Sequence, residues 1–511
     1  MRDRALPGRP RTVQDLASLA GGTLRDADPR AALEGLSDDS RAVRRGEAFF
    51  ARHGSKADGA LYAKEAVRNG CSVVVTERPL SPGVPSLLVP DVAEALLAAA
   101  DAWYGRPQDA LDLVGITGTK GKTTTAWLAA SAIRHGGRKA AVLGTISHDL
   151  GDGRPVPAEN TTPGALELRR LLAVARDAGC TAAVMEVSSH ALDQGRTAGL
   201  DFRAAVFTNL ASDHLDYHED LESYFQAKAR LFSGLGPSGT AVLNREDPAW
   251  PRLAALCLGP VVTYGAVPEA DLRADRIALS AERTQFRLVV GGDGETDVTT
   301  TLVGRHNVMN LLAAVGAAAA LGIDPVIAAE GASHLKGVRG RLERVGSSGD
   351  LHAFVDYAHT EDALRQVLTF LANVGAQPLT CVIGCGGDRD RTKRPKMARV
   401  AAELAHRAIL TSDNPRTEDP NAILAEMTAG LSPELLAKTL VVPDRREAIR
   451  RAVLEAFPGS SVLVAGKGHE DYQVVGTRKL PFDDATEVRE ALRLRETAVA
   501  EGATPWGAPR A

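Results

Sequence analysis

The stretch Gly118-Thr119-Lys120-Gly121-Lys122-Thr123-Thr124-Thr125 lies between the apolar run Leu111 to Ile116 and the helix-like run Trp127 to His135. A buried strand that feeds a glycine turn and opens into a helix presents backbone N–H groups and a positive dipole end to phosphate oxygens. The spacing predicts a phosphate cradle lined by Gly118 to Thr124. In such a loop Lys122 reaches the β- and γ-phosphates of a nucleotide and the Thr123 hydroxyl ligates Mg²⁺. The strict pattern has a glycine five residues before Gly121; here Ile116 fills that place, flanked by Gly115 and Gly118.

Outward from the loop, residues 108–336 alternate strand and helix in the manner of a mostly parallel sheet. Strands are expected at Leu111 to Thr117, Lys139 to Ile146, Thr181 to Val187, Arg203 to Thr208 and Thr240 to Asn244. A helix is expected after Thr161-Thr162-Pro163, with the threonine as N-cap and proline at the first helical position. Ligands of such sheets sit at the carboxyl ends of the strands. There the chain has Glu186-Val187-Ser188-Ser189-His190, then Thr208-Asn209 with Asp213-His214-Leu215-Asp216, and Lys228 on a following helix. Glu186 and His214 are candidate Mg²⁺ ligands, because a hard cation takes carboxylate oxygen and tolerates imidazole. The alternative for each is a structural or surface residue.

Residues 12–107 read as a small α/β unit: helices at Val13 to Ala20, Ala60 to Asn69 and Asp91 to Tyr104, a strand ending in Asp39-Ser40-Arg41, and strands at Ala48 to Ala51 and Ser72 to Thr76. Residues 337–497 alternate again, with strands at His352 to Tyr357, Leu379 to Gly384, Arg407 to Ser412, Thr439 to Val442 and Ser461 to Ala465. The glycine cluster Gly384 to Asp390 lacks the GxGxxG order of a dinucleotide site. Arg389, Arg416 and Glu470 would set two cations and one anion at one sheet edge, complementary to an amino acid's carboxylate and ammonium. Three separately solvated charges are the alternative.

The 511 residues carry 60 basic and 64 acidic side chains, a net charge of −4, which gives no reason to expect nucleic acid or a membrane surface as partner. Five cysteines without metal spacing predict neither a disulfide framework nor a zinc site, and Cys381 and Cys385 are read as buried apolar residues. No apolar run reaches the roughly 18 to 20 residues of a membrane span. The first eleven residues hold Arg2, Arg4, Arg9 and Arg11 without an apolar core, so a cytoplasmic protein is expected.

Taken together, Asp39-Ser40-Arg41, the Gly118 to Thr123 loop, Glu159-Asn160-Thr161-Thr162, Glu186 to His190, Asp213 to His218, Ala227-Lys228-Ala229-Arg230, Asn307 to Asn310, Gly340-Arg341, Asp356 to His359, Asp413 to Arg416 and Gly466 to Glu470 closely resemble the Mur ligase family. Within it they are most similar to the members that add the third peptide residue in peptidoglycan precursor synthesis. The resemblance implies three α/β domains: a UDP-sugar-binding domain at 12–107, a central P-loop ATPase domain at 108–336 and a Rossmann-like amino-acid-binding domain at 337–497.

It also implies an ATP-dependent amide ligase that adds diaminopimelate to UDP-N-acetylmuramoyl-L-alanyl-D-glutamate through an acyl phosphate, with small molecules as its partners and a monomer expected. The meso form is the expected substrate and the LL form its alternative. By position, Ser40, Ser55, Lys56 and Ala57 would contact the UDP-sugar, and Asn160, Thr161, Thr162, Ser188, Gln194 and Arg196 its peptide end. Asn307, Arg341 and Asp356 would join the loop in holding ATP. Lys228 matches a lysine carried as a CO₂-derived carbamate that helps ligate Mg²⁺, alongside Thr123, Glu186 and His214. Asp413-Asn414-Pro415-Arg416 matches the diaminopimelate variant of the family, with Arg389, Gly466 and Glu470 completing the amino-acid site. His359 is a candidate proton acceptor, with a structural role as the alternative.

Lys120, His306 and the Ala211-Ser212 pair depart from the pattern usual among diaminopimelate-adding members. Lysine or ornithine as the added residue, a folylpolyglutamate-type synthase, and a non-enzymatic nucleotide-gated scaffold are the competing readings.

Overall fold

The computed structural model describes residues 8–54, 58–291, 294–348 and 351–501. The chain divides into two compact units, Met1–Leu272 with Leu312–Ala332 and Arg273–Leu311 with Ser333–Ala511. The three expected α/β domains are seen as the three largest sheets among the described residues, beside two two-stranded ones.

In the first unit, residues 12–104 form a five-stranded sheet, Thr23–Arg25, Ser86–Leu88, Val73–Thr76, Glu47–Phe50 and Gly35–Ser37 from edge to edge. The helices Val13–Ala20 and Val92–Tyr104 pack their apolar faces on it through Leu16, Leu96 and Trp103. Two local expectations are corrected here. The strand expected to run into Asp39-Ser40-Arg41 stops at Ser37, because the Ser37 hydroxyl donates to Asp39 O (3.0 Å) and turns the chain. The helix expected over Ala60 to Asn69 is a 3₁₀ turn, Gly59–Tyr62, followed by the helix Ala63–Arg68. The turn comes first because Asp58 caps it, accepting from Ala60 N (2.9 Å), while Gly59 packs on the backbone where a Cβ would lie 2.6 Å from Arg52 O.

The second sheet of this unit has six parallel strands in the order Ala140–Leu143, Ala182–Glu186, Asp112–Thr117, Phe202–Phe207, Thr240–Asn244 and Val261–Gly265. Ala182–Glu186 and Ala140–Leu143 are buried at every position, as strands covered on both faces must be. The chain leaves the central strand Asp112–Thr117 for the edge, returns to Ala182–Glu186, and then crosses to Phe202–Phe207 on the other side. The direction of winding therefore reverses at Asp112–Thr117. Its carboxyl end, where the glycine loop begins, is the crevice of the sheet.

Helix Ala165–Asp177 begins at Gly164, not at Thr162-Pro163 as the sequence suggested. The Thr162 hydroxyl is committed elsewhere: it donates to Glu186 O (2.8 Å) and accepts from Ser188 N (3.0 Å). Along this helix the buried Arg169 donates to Asp101 (2.5 Å) and to Ala198 O (2.8 Å). A buried guanidinium is tolerable only with partners of this kind.

The second unit contains the antiparallel strands Thr284–Val290 and Gly294–Thr300 and a six-stranded sheet. That sheet runs Glu343–Ser348, Leu351–Asp356, Ser461–Ala465, Leu379–Cys385, Arg407–Ser412 and Thr439–Val441, antiparallel at its first pair and parallel elsewhere. Cys381 and Cys385 are buried and free, with burial pushing both thiols up to about 12. Arg445 and Asp484, both fully buried, form a two-pronged ion pair (2.8 and 2.7 Å) behind the sheet. Among the described residues no helix is long and apolar enough to cross a membrane.

Candidate active site

In the first unit the glycine loop is folded by its neighbours at the strand ends. Gly118 has φ +147, and a Cβ there would lie 1.9 Å from Thr208 Oγ1. Thr208 donates to Lys120 O (2.7 Å), Asn209 O accepts from Thr119 N (2.8 Å), and Asn209 Oδ1 accepts from Lys120 N (3.0 Å). The loop then enters helix Lys122–His135 through Gly121, φ +87, with no side chain capping the helix end. Its N-terminus and dipole are thus presented to an anion.

Two lysines converge on the loop. Lys122 Nζ donates to Gly118 O (2.8 Å) and Thr119 O (2.9 Å), and Lys228 Nζ donates to the same Gly118 O (3.0 Å). Lys228 is 2% exposed and stands 4.2 Å from the centre of the Tyr224 ring. Burial, reinforced by the neighbouring charge of Lys122, holds its amine well below the usual lysine range.

Next to them Thr123 Oγ1 donates to Glu186 Oε2 (2.9 Å). Thr145 completes the cage, its N–H on Glu186 Oε1 (2.8 Å) and its hydroxyl on Oε2 (3.0 Å). Two hard oxygens at that separation match adjacent corners of an octahedron with ligands about 2.1 Å from a Mg²⁺ ion, so the donor set fits this metal. Among the described residues no group of three His, Cys, Asp or Glu side chains is assembled for a metal. His214 is exposed, with φ +55, and its ring lies 5.0 Å from that of His190; no hydrogen bond joins it to Glu186 among the described residues.

The residues expected at the peptide end of a substrate are partly brought together. Arg196 donates to Thr162 O (2.8 Å) and to Gln194 Oε1 (3.1 and 2.8 Å), while Thr162 meets Ser188 as described above. Thr161 Oγ1 accepts from Thr145 (3.1 Å), and Asn160 is exposed. Burial and the charge of Arg52 lower the pKa of Arg196. Further off, buried Ser40 donates to Glu65 (2.5 Å) and accepts from Asn69 at its carbonyl (2.8 Å). Ser55, Lys56 and Ala57 lie outside the described residues.

In the second unit, Asn307 donates to Val303 O (2.8 Å) and accepts from Asn310 (3.0 Å). Asp356 accepts from Leu342 N (2.6 Å) and Ala358 N (2.8 Å), and the Arg341 guanidinium lies 5.0 Å from the centre of the Tyr357 ring. His359 Nδ1 donates to Tyr357 O (2.8 Å), which leaves Nε2 as the basic nitrogen.

At the carboxyl ends of Arg407–Ser412 and Ser461–Ala465, the Asp413-Asn414-Pro415-Arg416 and Gly466 to Glu470 segments meet. Arg416, with φ +53, donates to Gly387 O (2.6 Å). Its backbone is held by Val474 O (3.0 Å) and Gly476 N (2.7 Å) of the hairpin Tyr472–Val475 and Arg478–Pro481. Asn414 donates to Glu470 (2.9 Å), and Gly466 leaves room where a Cβ would lie 2.9 Å from Asp413 Oδ2. Arg389 is exposed and donates to Asp388 O (3.3 Å).

Sequence reasoning missed Thr145, Glu65, Asn69 and Lys467. Each is identified by what it touches, and none of those partners is near it in a recognisable motif except Glu470, three residues after Lys467.

Residues 116–318 match the Mur ligase middle domain and residues 340–468 the glutamate ligase domain of Mur ligases. A relative from Gloeobacter violaceus, named UDP-N-acetylmuramoyl-L-alanyl-D-glutamate--2,6-diaminopimelate ligase, is 48% identical over 91% of this chain and 95% of its own. One of the same name from Geobacillus kaustophilus is 45% identical over 90% and 95%. A solved structure with that name superposes with a TM-score of 0.67 at 35% identity, covering 95% of this chain and 99% of its own.

Proposed function

The chain belongs to the Mur ligase family, and from that premise we propose that it is the ATP-dependent ligase that joins diaminopimelate to UDP-N-acetylmuramoyl-L-alanyl-D-glutamate in peptidoglycan precursor synthesis, acting in the cytoplasm as a monomer. The observation that carries the reading is the convergence of Lys122 and Lys228 on Gly118 O beside the Thr123–Glu186 pair. It gives one end of one sheet a cation for phosphate oxygens, a hard-oxygen pair for Mg²⁺ and a second, buried amine whose pKa burial depresses.

In this reaction the terminal carboxylate of the dipeptide attacks the γ-phosphorus of ATP, releasing ADP and leaving an acyl phosphate. The diamino acid's amine then displaces phosphate and forms the amide. An anion attacking an anion needs its charge balanced and its line of approach fixed, and most of the catalysis lies there. Lys122 and the first turn of helix Lys122–His135 take the phosphates. Thr123 and Glu186 would hold Mg²⁺, which when bound neutralises the same charge; His214 is proposed to assist. Thr162, Ser188, Gln194 and Arg196, with Asn160 and Thr161, orient the dipeptide, and Ser40 with Ser55, Lys56 and Ala57 holds the UDP-sugar. Asn307, Arg341 and Asp356 hold the nucleotide.

Lys228 carries the carbamate in this proposal. Burial favours the free amine, which is the form nucleophilic toward CO₂, and the carbamate that results puts an anion suited to a metal site where a cation would have stood. The distal carboxylate of diaminopimelate falls to Arg416 and its ammonium to Glu470, with Arg389, Asp413, Asn414, Pro415 and Gly466 shaping the subsite. The basic Nε2 of His359 receives the amine's proton.

The test is phosphate release from ATP with the UDP-dipeptide and, separately, meso-diaminopimelate, LL-diaminopimelate, L-lysine and L-ornithine. Release with a diaminopimelate alone is expected. Release with lysine or ornithine would keep the ligase and overturn its specificity, and silence with all four would overturn the reading.

A further inference from the structure

The amino-acid subsite contains a buried cation that the reaction above does not use. Lys467 follows strand Ser461–Ala465 and is 0% exposed. Gly466 (φ +112) and Gly468 (φ +54) on either side turn the chain in around it, and a Cβ on Gly468 would lie 2.7 Å from Tyr357 Cβ. Its ammonium lies 2.9 Å from Glu470 Oε2 and 3.2 Å from Asn414 Oδ1.

Asn414 closes the arrangement. Its Oδ1 also accepts from Val474 N (2.9 Å), and its Nδ2 donates to Glu470 Oε2 (2.9 Å). Oxygen toward Lys467 and Val474, nitrogen toward Glu470, is the only amide orientation these partners allow. Both donors to the Glu470 side chain therefore use Oε2. Among the described residues no hydrogen bond reaches Oε1, and the Glu470 side chain is 20% exposed. One carboxylate oxygen is locked inward; the other is left for a donor from outside.

A buried ion pair is a weak source of stability, since desolvation offsets most of the attraction, and its best use is to fix one geometry. We propose that Lys467 is a positioning residue of the amino-acid subsite, holding Glu470 Oε2 and Asn414 Oδ1 so that Glu470 Oε1 faces the ammonium of the incoming diamino acid. The proposal rests on the ligase reading above. Lys467 itself does not touch substrate. Without it Glu470 keeps a single donor, the Asn414 amide, and its carboxylate is free to rotate.

The experiment is steady-state phosphate release by the full-length wild type, Lys467→Met, Lys467→Arg, Glu470→Gln and the double variant Lys467→Met/Glu470→Gln. Methionine keeps the stem and removes the charge. The expected result for Lys467→Met is a KM for diaminopimelate raised about ten- to a hundredfold, as for loss of a charge-assisted contact, with the KM values for ATP and the UDP-dipeptide within about twofold. Lys467→Arg should recover part of the loss. The double variant buries no unpaired charge, so it should fold even where the single one does not, and set beside Glu470→Gln alone it should show no further rise, because Lys467 acts only through the Glu470 carboxylate. An unchanged diaminopimelate KM or an equal loss toward all three substrates in Lys467→Met, or a further rise in the double variant over Glu470→Gln, would overturn the role of Lys467. A wild type silent with every diamino acid would instead overturn the ligase reading.

Discussion

Lys122 and Lys228 donate to one carbonyl oxygen, that of Gly118, from 2.8 and 3.0 Å. Two ammonium groups at one acceptor repel each other, and the buried one gives way: Lys228 is the amine whose pKa is depressed, by burial first and by Lys122 second. The same depression favours the free amine, the form open to CO₂. Lys228→Ala should lower turnover at least about a hundredfold, the scale of a lost electrostatic contact at a reacting phosphate. A small carboxylate such as formate should restore part of it by replacing the anion. Wild type dialysed free of bicarbonate should lose activity and regain it on bicarbonate addition. A fully active alanine variant would remove the carbamate from the mechanism.

Gly118 and Gly137 are both at positive φ, but they differ in what surrounds them. A Cβ on Gly118 meets Thr208 Oγ1 at 1.9 Å, whereas one on Gly137, φ +83, meets nothing within 4 Å. Alanine at Gly137 should therefore show the backbone term alone, about 1 kcal/mol. Alanine at Gly118 adds displacement of Thr208 and the loop it holds, a further ~1–3 kcal/mol. Thermal melts with and without ATP separate the two. Gly137→Ala should keep the nucleotide-induced rise in Tm, and Gly118→Ala should lose it.

Arg416 keeps one guanidinium nitrogen on Gly387 O, and its backbone is pinned by the Tyr472–Val475 strand. The group is thereby aimed before any ligand arrives. Arg416→Ala should raise the KM for diaminopimelate about ten- to a hundredfold and leave that for ATP within about twofold, measured by phosphate release. An equal rise for both substrates would assign the arginine to the hairpin's stability instead.

The parallel strands and the glycine loop were legible because the central strands are apolar runs that end in glycine or in polar residues, buried at nearly every position. Thr439 to Val442 and Ser461 to Ala465 differ from the observed strands by one residue at most. Thr284–Val290 was passed over although Thr284, Phe286 and Leu288 alternate with exposed or half-exposed neighbours, a period-2 signal that was there to be read. Thr162 looked like an N-cap because local sequence cannot show that its hydroxyl is drawn to Glu186 and Ser188 across the sheet. For the same reason Ser40 was visible but not Glu65 and Asn69, 25 and 29 positions away, which hold it. Lys467 lay inside a recognised motif, yet nothing in the sequence said that its charge turns inward and binds Glu470.

The loop that receives Arg416 is itself braced by charge, and this gives the acid limb of stability a specific source. Arg394, with its side chain fully buried, donates to both oxygens of Glu418 (2.9 and 2.8 Å) and to Gly386 O (3.2 Å), and Asp388 N donates to Glu418 as well (2.5 Å). Arg394 above all, then Asp388 N, holds the Glu418 carboxyl down at about 2, below the usual 4.5. A folded-state pKa below the unfolded one means that the native state binds fewer protons. The contribution is complete above about 4.5, and it drains away as the pH falls toward about 2. Glu418→Gln keeps the shape and part of the hydrogen bonding but not the charge. Denaturant melts of both proteins from pH 7 to pH 3 should show the variant less stable at neutral pH, with the gap narrowing below about 4.5 as the unfolded wild-type chain takes up the proton that the folded one still refuses. A gap of constant size across that range would mean that the contact acts as a neutral hydrogen bond and that Glu426, the other carboxylate on Arg394 (2.8 Å), carries the charge pairing.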